Sequence, residues 1–293
     1  MSTDAVLYDH PGPRAKIRNA ALTVVFGLVL LGLAYWVYAK FDEKGQWAGA
    51  LWKPFTALST WTDYILPGLG YTLGAAAVAM VLSLTFGIVF AVGRLSDHRW
   101  VRYPAGAVVE FFRAVPLLLL MFFIFFGVPF ITEQPMSIFW AVVIGLTLYN
   151  GSVLAEAFRA GIHAVPRGQS EAAYALGMRK SQVMREVLVP QAARSMLPVI
   201  VSQMVVLVKD TALGYIISYS ELLQMGVNNV AANFGNVVQA AIVVAAIFIV
   251  VNSILTALAG WLERRTRRSG RAPRTKGQPV PAGLVQTGEA AGD

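Results

Sequence analysis

The chain has 293 residues, is 56% hydrophobic and only 14% charged, and carries a net charge of +8. A soluble domain commonly has about a quarter of its residues charged, so this composition excludes an ordinary water-soluble globule and points to the bilayer. Without cysteine, and with only three scattered histidines (His10, His98 and His163), the chain offers no disulfide framework, no thiolate metal site and no histidine cluster for metal or catalytic chemistry.

A hydrocarbon core about 30 Å thick needs roughly 20 apolar helical residues to cross it. Residues 1–18 form a polar tail, and residues 19–39, Asn19 to Ala39, form the first span. Its late start and the absence of a small-residue cleavage pattern mark it as a retained anchor rather than a signal peptide. Tyr64 to Gly93 is a second uncharged run, long enough for one tilted helix. Ala114 to Thr132 is the third, with its helix starting nearer Tyr103, and Gln134 to Ala155 is the fourth. Val187 to Ile217 is the fifth, interrupted by Lys209 and Asp210. The sixth lies within Leu222 to Leu262, from about Gly235 onward. The expected fold is therefore all-α, a polytopic membrane protein of six transmembrane helices. Trp36, Trp47, Trp52 and Trp61 lie where an aromatic belt anchors a membrane protein. Gly70 and Gly74 have the spacing that permits close helix contact. Residues 263–293 are a basic tail, expected to be disordered beyond Ser269 from its Gly, Pro and small polar residues.

The lysines and arginines set an orientation. Nineteen fall on one side: Arg14, Lys16 and Arg18; Arg94, Arg99 and Arg102; six between Arg159 and Arg194; and seven between Arg264 and Lys276. Lys40, Lys44 and Lys53 alone fall on the other. The positive-inside rule then places both termini in the cytoplasm of a multi-pass plasma-membrane protein. It also accounts for the basic tail without nucleic acid, with anionic lipid as a further partner.

The connection between the fourth and fifth spans carries the most specific signal. Pro166 and Gly168 end the fourth helix, and a short helix about 12 Å long follows from about Gln169. Ala172, Ala173 and Leu176 give it a small apolar face. Gly177 ends it in a left-handed conformation, and Ser181 caps the next helix. A short, small-faced helix suits docking into a groove on another protein; a helix lying on lipid would show the same pattern.

The letters of this loop narrow the choice. Glu171-Ala172-Ala173, then Gly177, then Val187 and Val189-Pro190 resemble the EAA loop of ABC importer permeases, with valines where the family has Ile and Leu. Phe112-Arg113-Ala114-Val115-Pro116-Leu117-Leu118 is similar to the Phe-Arg-Gly-Thr-Pro-Leu-Leu stretch of polar amino-acid permeases. The stretches Leu154 to Met178 and Leu197 to Leu213 resemble the same subfamily, with Ser202 where many members have Asn. Val6 to Lys16 and Val109 to Pro116 look most like glutamate-system permeases of high-GC Gram-positive bacteria.

The resemblance implies a type I importer permease with five core helices over residues 64–262, including a coupling loop at 164–190, so that residues 19–39 are an added helix. It implies that Glu171, Ala172, Ala173, Leu176 and Gly177 dock on a partner ATPase. The further partners it implies are a second permease subunit in a heterodimer, an ATPase dimer, an extracytoplasmic solute-binding protein and an amino-acid substrate, glutamate first. No G-x-x-x-x-G-K-[ST] phosphate loop occurs in the sequence. ATP and Mg are therefore expected on the partner, with no catalytic residue, metal or cofactor on this chain.

Charges inside spans cost at least roughly 2.5–3.5 kcal/mol near the bilayer centre, so they should face a cavity or a partner. Glu156 and Arg159, three residues apart, are expected to pair on the helix surface, and Glu110 and Arg113 have the same spacing. Arg113, Lys209 and Asp210 are the candidates for the substrate pathway. Lys209 and Asp210 point in different directions on a helix. They suit either a network with the second permease or the pathway lining. An ion-coupled secondary transporter is the alternative, but it predicts an internal repeat that the sequence lacks. A membrane scaffold or sensor would need a soluble effector domain.

Overall fold

The computed structural model describes residues 12–268. The tail beyond Ser269, where disorder is expected, lies outside the described residues, as do the first eleven. All regular elements among the described residues are helical. Apart from the short helical turns Gly49–Trp52 and Lys53–Thr56, they run α1 Pro13–Glu43, α2 Leu58–Arg94, α3 Arg99–Ala114, α4 Leu117–Thr132, α5 Ile138–His163, α6 Arg167–Ala175, α7 Lys180–Ile217, α8 over residues 222–234 and α9 Val237–Arg268. Five of them, α1, α2, α5, α7 and α9, are long and apolar enough to cross a membrane. The pair α3 and α4 makes the sixth if counted as one span, but it is bent by 102°.

That bend corrects the expectation that the third span continues back toward Tyr103. Pro116 disfavours the α conformation in the residue before it, and Val115 is extended at φ −84°, ψ 128°. Helix therefore stops at Ala114 and restarts at Leu117. The restarted helix is about 24 Å long at 1.5 Å per residue. Prolines leave a second trace. π-helical turns at Trp61–Ile65, Phe123–Gly127 and Val183–Leu188 each end two residues before a proline: Pro67, Pro129 and Pro190. A proline removes one i→i−4 bond and crowds the preceding turn, and the wider turn absorbs both effects.

The described residues pack as two compact units, 12–71 with 220–247 and 72–219 with 248–268. In the first, α1 buries no residue. After it, Trp47 folds back to stack on Tyr38 at 5.3 Å and donates its indole N–H to the Tyr38 carbonyl at 3.1 Å. Asn236 donates to the Leu51 carbonyl at 3.0 Å, and Gln239 donates to that of Gln46. Both amides thus hold the loop before α2. Glu221 is fully buried and caps α8, its two carboxylate oxygens accepting the N–H groups of Leu223 and Gln224 at 2.7 Å each. Those donors favour the charged form, yet burial outweighs them and pushes the carboxyl up to about 7.

In the second unit, α2 turns a face of small residues inward: Thr72, Ala75, Ala76, Ala79 and Ser83 are all buried. Lipid is as apolar as a leucine side chain, so helices associate in it through close packing rather than through the hydrophobic effect. At Gly87 the helices approach closely, because an added Cβ would lie 2.9 Å from Leu154 Cβ on α5. Around this face pack Met121 of α4, Val142, Val143 and Leu146 of α5, and Leu207 and Val208 of α7. Gly70 and Gly74 make no such contact, since a Cβ on either would meet nothing within 4 Å.

Candidate functional site

The loop between α5 and α7 folds as a short helix closed by a Schellman motif. Gly177 takes φ +77°, its N–H bonds to the Tyr174 carbonyl at 2.9 Å, and the Met178 N–H bonds to that of Ala173 at 3.2 Å. The left-handed glycine is where the sequence places it. Three details differ. α6 starts at Arg167, directly after Pro166, so Glu171 stands in the middle of the helix and not in its first turn. Ser181 is not the cap of the next helix. Arg179 holds that position, and its backbone N–H donates to the Gln182 side-chain carbonyl at 2.8 Å. Nor do the three apolar residues share one free face: Ala173 is buried against the rest of the chain, whereas Ala172 and Leu176 are exposed. Helical spacing therefore separates an inner face, with Ala173, from an outer face carrying Glu171, Ala172 and Leu176, the last 83% exposed.

Beside α6, the ends of α2, α3 and α5 bring charges together. Glu156 accepts from Arg159 Nη2 at 2.5 Å and lies 3.0 Å from Arg94 Nη1 and 3.9 Å from Arg113 Nη1. Arg94 reaches Glu110 as well, at 3.1 Å. The Glu156–Arg159 pair is as read from spacing. The Glu110–Arg113 pair is not: each residue reaches across to another helix, because three arginines and two carboxylates converge here. Arg94 is the member that sequence reasoning missed, and its only signal was its position as the first charge after a long apolar run. Lys180 at the start of α7 closes the group, donating to Asp97 Oδ1 at 2.5 Å and to the Leu95 carbonyl at 3.1 Å. That hydrogen bond holds the Asp97 carboxyl below the usual carboxylate range.

A second polar cluster lies mid-span. Asn150, fully buried halfway along α5, donates to the Leu146 carbonyl at 3.1 Å and accepts from Gln203 Nε2 at 2.5 Å. The Asp210 side chain approaches it as well. Two polar residues of α7 are thus tied to α5 within one chain. The adjacent Lys209 points the other way, is exposed, and makes no ion pair among the described residues. Arg113 sits apart from both, at the end of α3. The three pathway candidates therefore do not form one cluster. Asn150 and Gln203, uncharged amides in apolar runs, had no distinguishing signal in the sequence.

Residues 83–268 match the family of binding-protein-dependent transport system inner membrane components. Over 240 residues the chain is 45% identical to the glutamate transport system permease protein GluD of Corynebacterium glutamicum, covering 81% of this chain and 87% of that one. It is 32% identical to the arginine transport system permease protein ArtQ of Bacillus subtilis, over 73% of this chain and 97% of the relative. The fold superposes on a crystal structure of an amino acid ABC transporter with histidines at a TM-score of 0.68 and 28% identity, covering 72% of this chain and 98% of the other. A methionine ABC transporter, MetNI, shares the fold at a TM-score of 0.57 and 18% identity. The matched length and the helical core agree, and the chain belongs to the family of inner membrane components of binding-protein-dependent transport systems.

Proposed function

We propose that this chain is the permease subunit of an ATP-driven importer of polar amino acids, with glutamate as its substrate and both termini in the cytoplasm. The similarity to the glutamate permease of Corynebacterium glutamicum over 81% of the chain supports the substrate. The observation that carries the coupling role is the division of α6 into a held inner face and a free outer one. Glu171, Ala172 and Leu176 are presented outward on a helix that Ala173 and the Gly177 turn keep in place. A partner ATPase, binding ATP and Mg, would dock on that outer face. Closure of the ATPase would then move α6 and, through the packing of α5 and α7, reorient the spans. A solute-binding protein outside and a second, related permease complete the assembly.

In this reading Lys209 is the counter-charge for an anionic ligand inside the span. It is exposed and makes no ion pair among the described residues, while Asp210 approaches Asn150 and positions that part of α7. Arg113, at the α6 end, meets the ligand as it leaves. Deleting the chain should abolish ATP-dependent uptake of labelled glutamate, and Lys209→Met should lower it by about tenfold, the equivalent of roughly 1.4 kcal/mol. Arginine and glutamine uptake serve as comparisons, the first because the chain is 32% identical to an arginine permease. Normal glutamate uptake with lost arginine uptake would replace the substrate and leave the permease assignment standing.

A further inference from the structure

Between α6 and the ends of α2, α3, α5 and α7 lies a cleft of about 750 Å³. Arg94, Arg102, Arg159, Arg167 and Lys180 line it, with Asp97 as the one carboxylate in the lining. Counting the charges paired behind it adds Arg113, Glu110 and Glu156. Six cations then face three carboxylates. Arg94 and Arg159 are engaged with glutamates and Lys180 with Asp97, which leaves Arg102 and Arg167 without an ion pair among the described residues.

The helix at the mouth of this cleft states the depth at which it opens. α3 has three faces. Ala105 and Val109 are buried against the protein. Trp100, Tyr103, Ala107 and Phe111, spaced by three or four residues, are exposed, Trp100 at 93%. Arg99, Arg102, Glu110 and Arg113 make a polar strip between them. An apolar face, a basic strip and a bend of 102° from α4 together describe a helix lying in the membrane interface. A shallow groove lined by Arg99, Trp100, Tyr103, Pro104 and Ala107 runs along its apolar side. Arg102 stands where this side meets the cleft, its guanidinium 5.5 Å from the Tyr103 ring centre.

We propose that the cleft binds the phosphate of an anionic phospholipid, with Arg102 and Arg167 as its ligands and the acyl chains lying along the groove of α3. Guanidinium groups bind phosphate oxygens through paired N–H donors, and the cation excess favours an anionic headgroup over a zwitterionic one. The site is distinct from the mid-span Lys209. A lipid held between α3 and α6 would brace the coupling helix against the membrane surface. With both termini in the cytoplasm, as proposed above, this lipid belongs to the cytoplasmic leaflet.

The test is native mass spectrometry of the full transporter purified in detergent, titrated with phosphatidylglycerol or phosphatidylcholine of identical acyl chains. Each basic side chain near an anionic headgroup is worth roughly fivefold in affinity, so wild type should prefer phosphatidylglycerol by at least about tenfold. Arg102→Gln with Arg167→Gln should erase the preference, the corresponding lysine pair should keep most of it, and Arg18→Gln on α1 should leave it unchanged. If the double variant fails to fold, Arg167→Gln alone should lower the preference about fivefold. Equal affinities in wild type, or a preference that survives the glutamine changes, would overturn the site. Binding of soluble glycerol phosphate as tight as that of the lipid would overturn the lipid as its source. Neither measurement depends on which leaflet the cleft faces, so a negative result leaves the orientation and the importer reading untouched.

Discussion

At the scale of single residues, Gly177 shows how conformation and contact separate. Its φ of +77° lies in the left-handed region, where a side chain costs about 1–2 kcal/mol. An added Cβ would nevertheless meet nothing within 4 Å of this chain. Gly177→Asp should therefore leave the permease folded and in the membrane. It should disturb only the turn and the surface beside it, where an unpaired charge would meet a docking partner. We expect the ATPase to be lost from copurification and ATP-driven uptake in proteoliposomes to fall by tenfold or more. Gly177→Asn, which tolerates the left-handed region better, should fall between the two. Unchanged copurification and uptake in the aspartate variant would remove this loop as the coupling element. Glu171 carries a related lesson. A helix-dipole role requires the first turn, so at its mid-helix position the proposed coupling leaves it only a direct contact with the ATPase.

At the scale of elements, spacing within one helix was readable and pairing between helices was not. Glu156 and Arg159 pair as i, i+3 neighbours do, because one helix sets their distance. Glu110 and Arg94 meet only because α3 folds back beside the end of α2. The same holds for Asn150, which joins α5 to Gln203 and Asp210 of α7. Interhelical hydrogen bonds inside membrane proteins contribute about 0.6 kcal/mol on average and up to about 1.7. Asn150→Leu would remove the Gln203 bond, leave that amide unpartnered and strip the Asp210 carboxyl of its polar neighbour, so a loss of about 1–3 kcal/mol is expected. It should appear as a lower thermal unfolding midpoint in detergent. Asn150→Asp, placed against Asp210, should be worse than leucine at neutral pH and recover in acid. Equal midpoints for wild type and Asn150→Leu would mean that the cluster does not hold α5 to α7.

For the molecule as a whole, topology is the feature on which every side-specific statement depends. The chain has no cysteine, so single cysteines can be introduced without a background. At Ser2 and Ser269 they should resist a membrane-impermeant thiol reagent in intact cells, while one at Ser59 should react. Labelling of Ser269 from outside would overturn the orientation and move α6 to the wrong side for an ATPase. The five long helices and the bent pair agree with the six expected spans, and five of the six have ends within eight residues of those expected. The exception is the third, where a run without charges concealed a break that Pro116 makes in the backbone.

The sequence by itself determined what local rules control. Apolar length specified the spans, Gly177 marked the end of α6, the letters from Glu171 to Pro190 pointed to the family, and the distribution of lysine and arginine carries the orientation proposed here. Only the tertiary structure decided which residues face one another. It buried Ala173 and freed Leu176, paired Glu110 with Arg94, turned Asp210 toward Asn150, and laid α3 across the end of α4 to open a basic cleft. Helix periodicity sets the angle of each side chain about its own axis. The neighbour across the gap depends on how the axes pack, and in a bilayer that is decided by small-residue contacts such as Gly87 on Leu154, far apart in the chain.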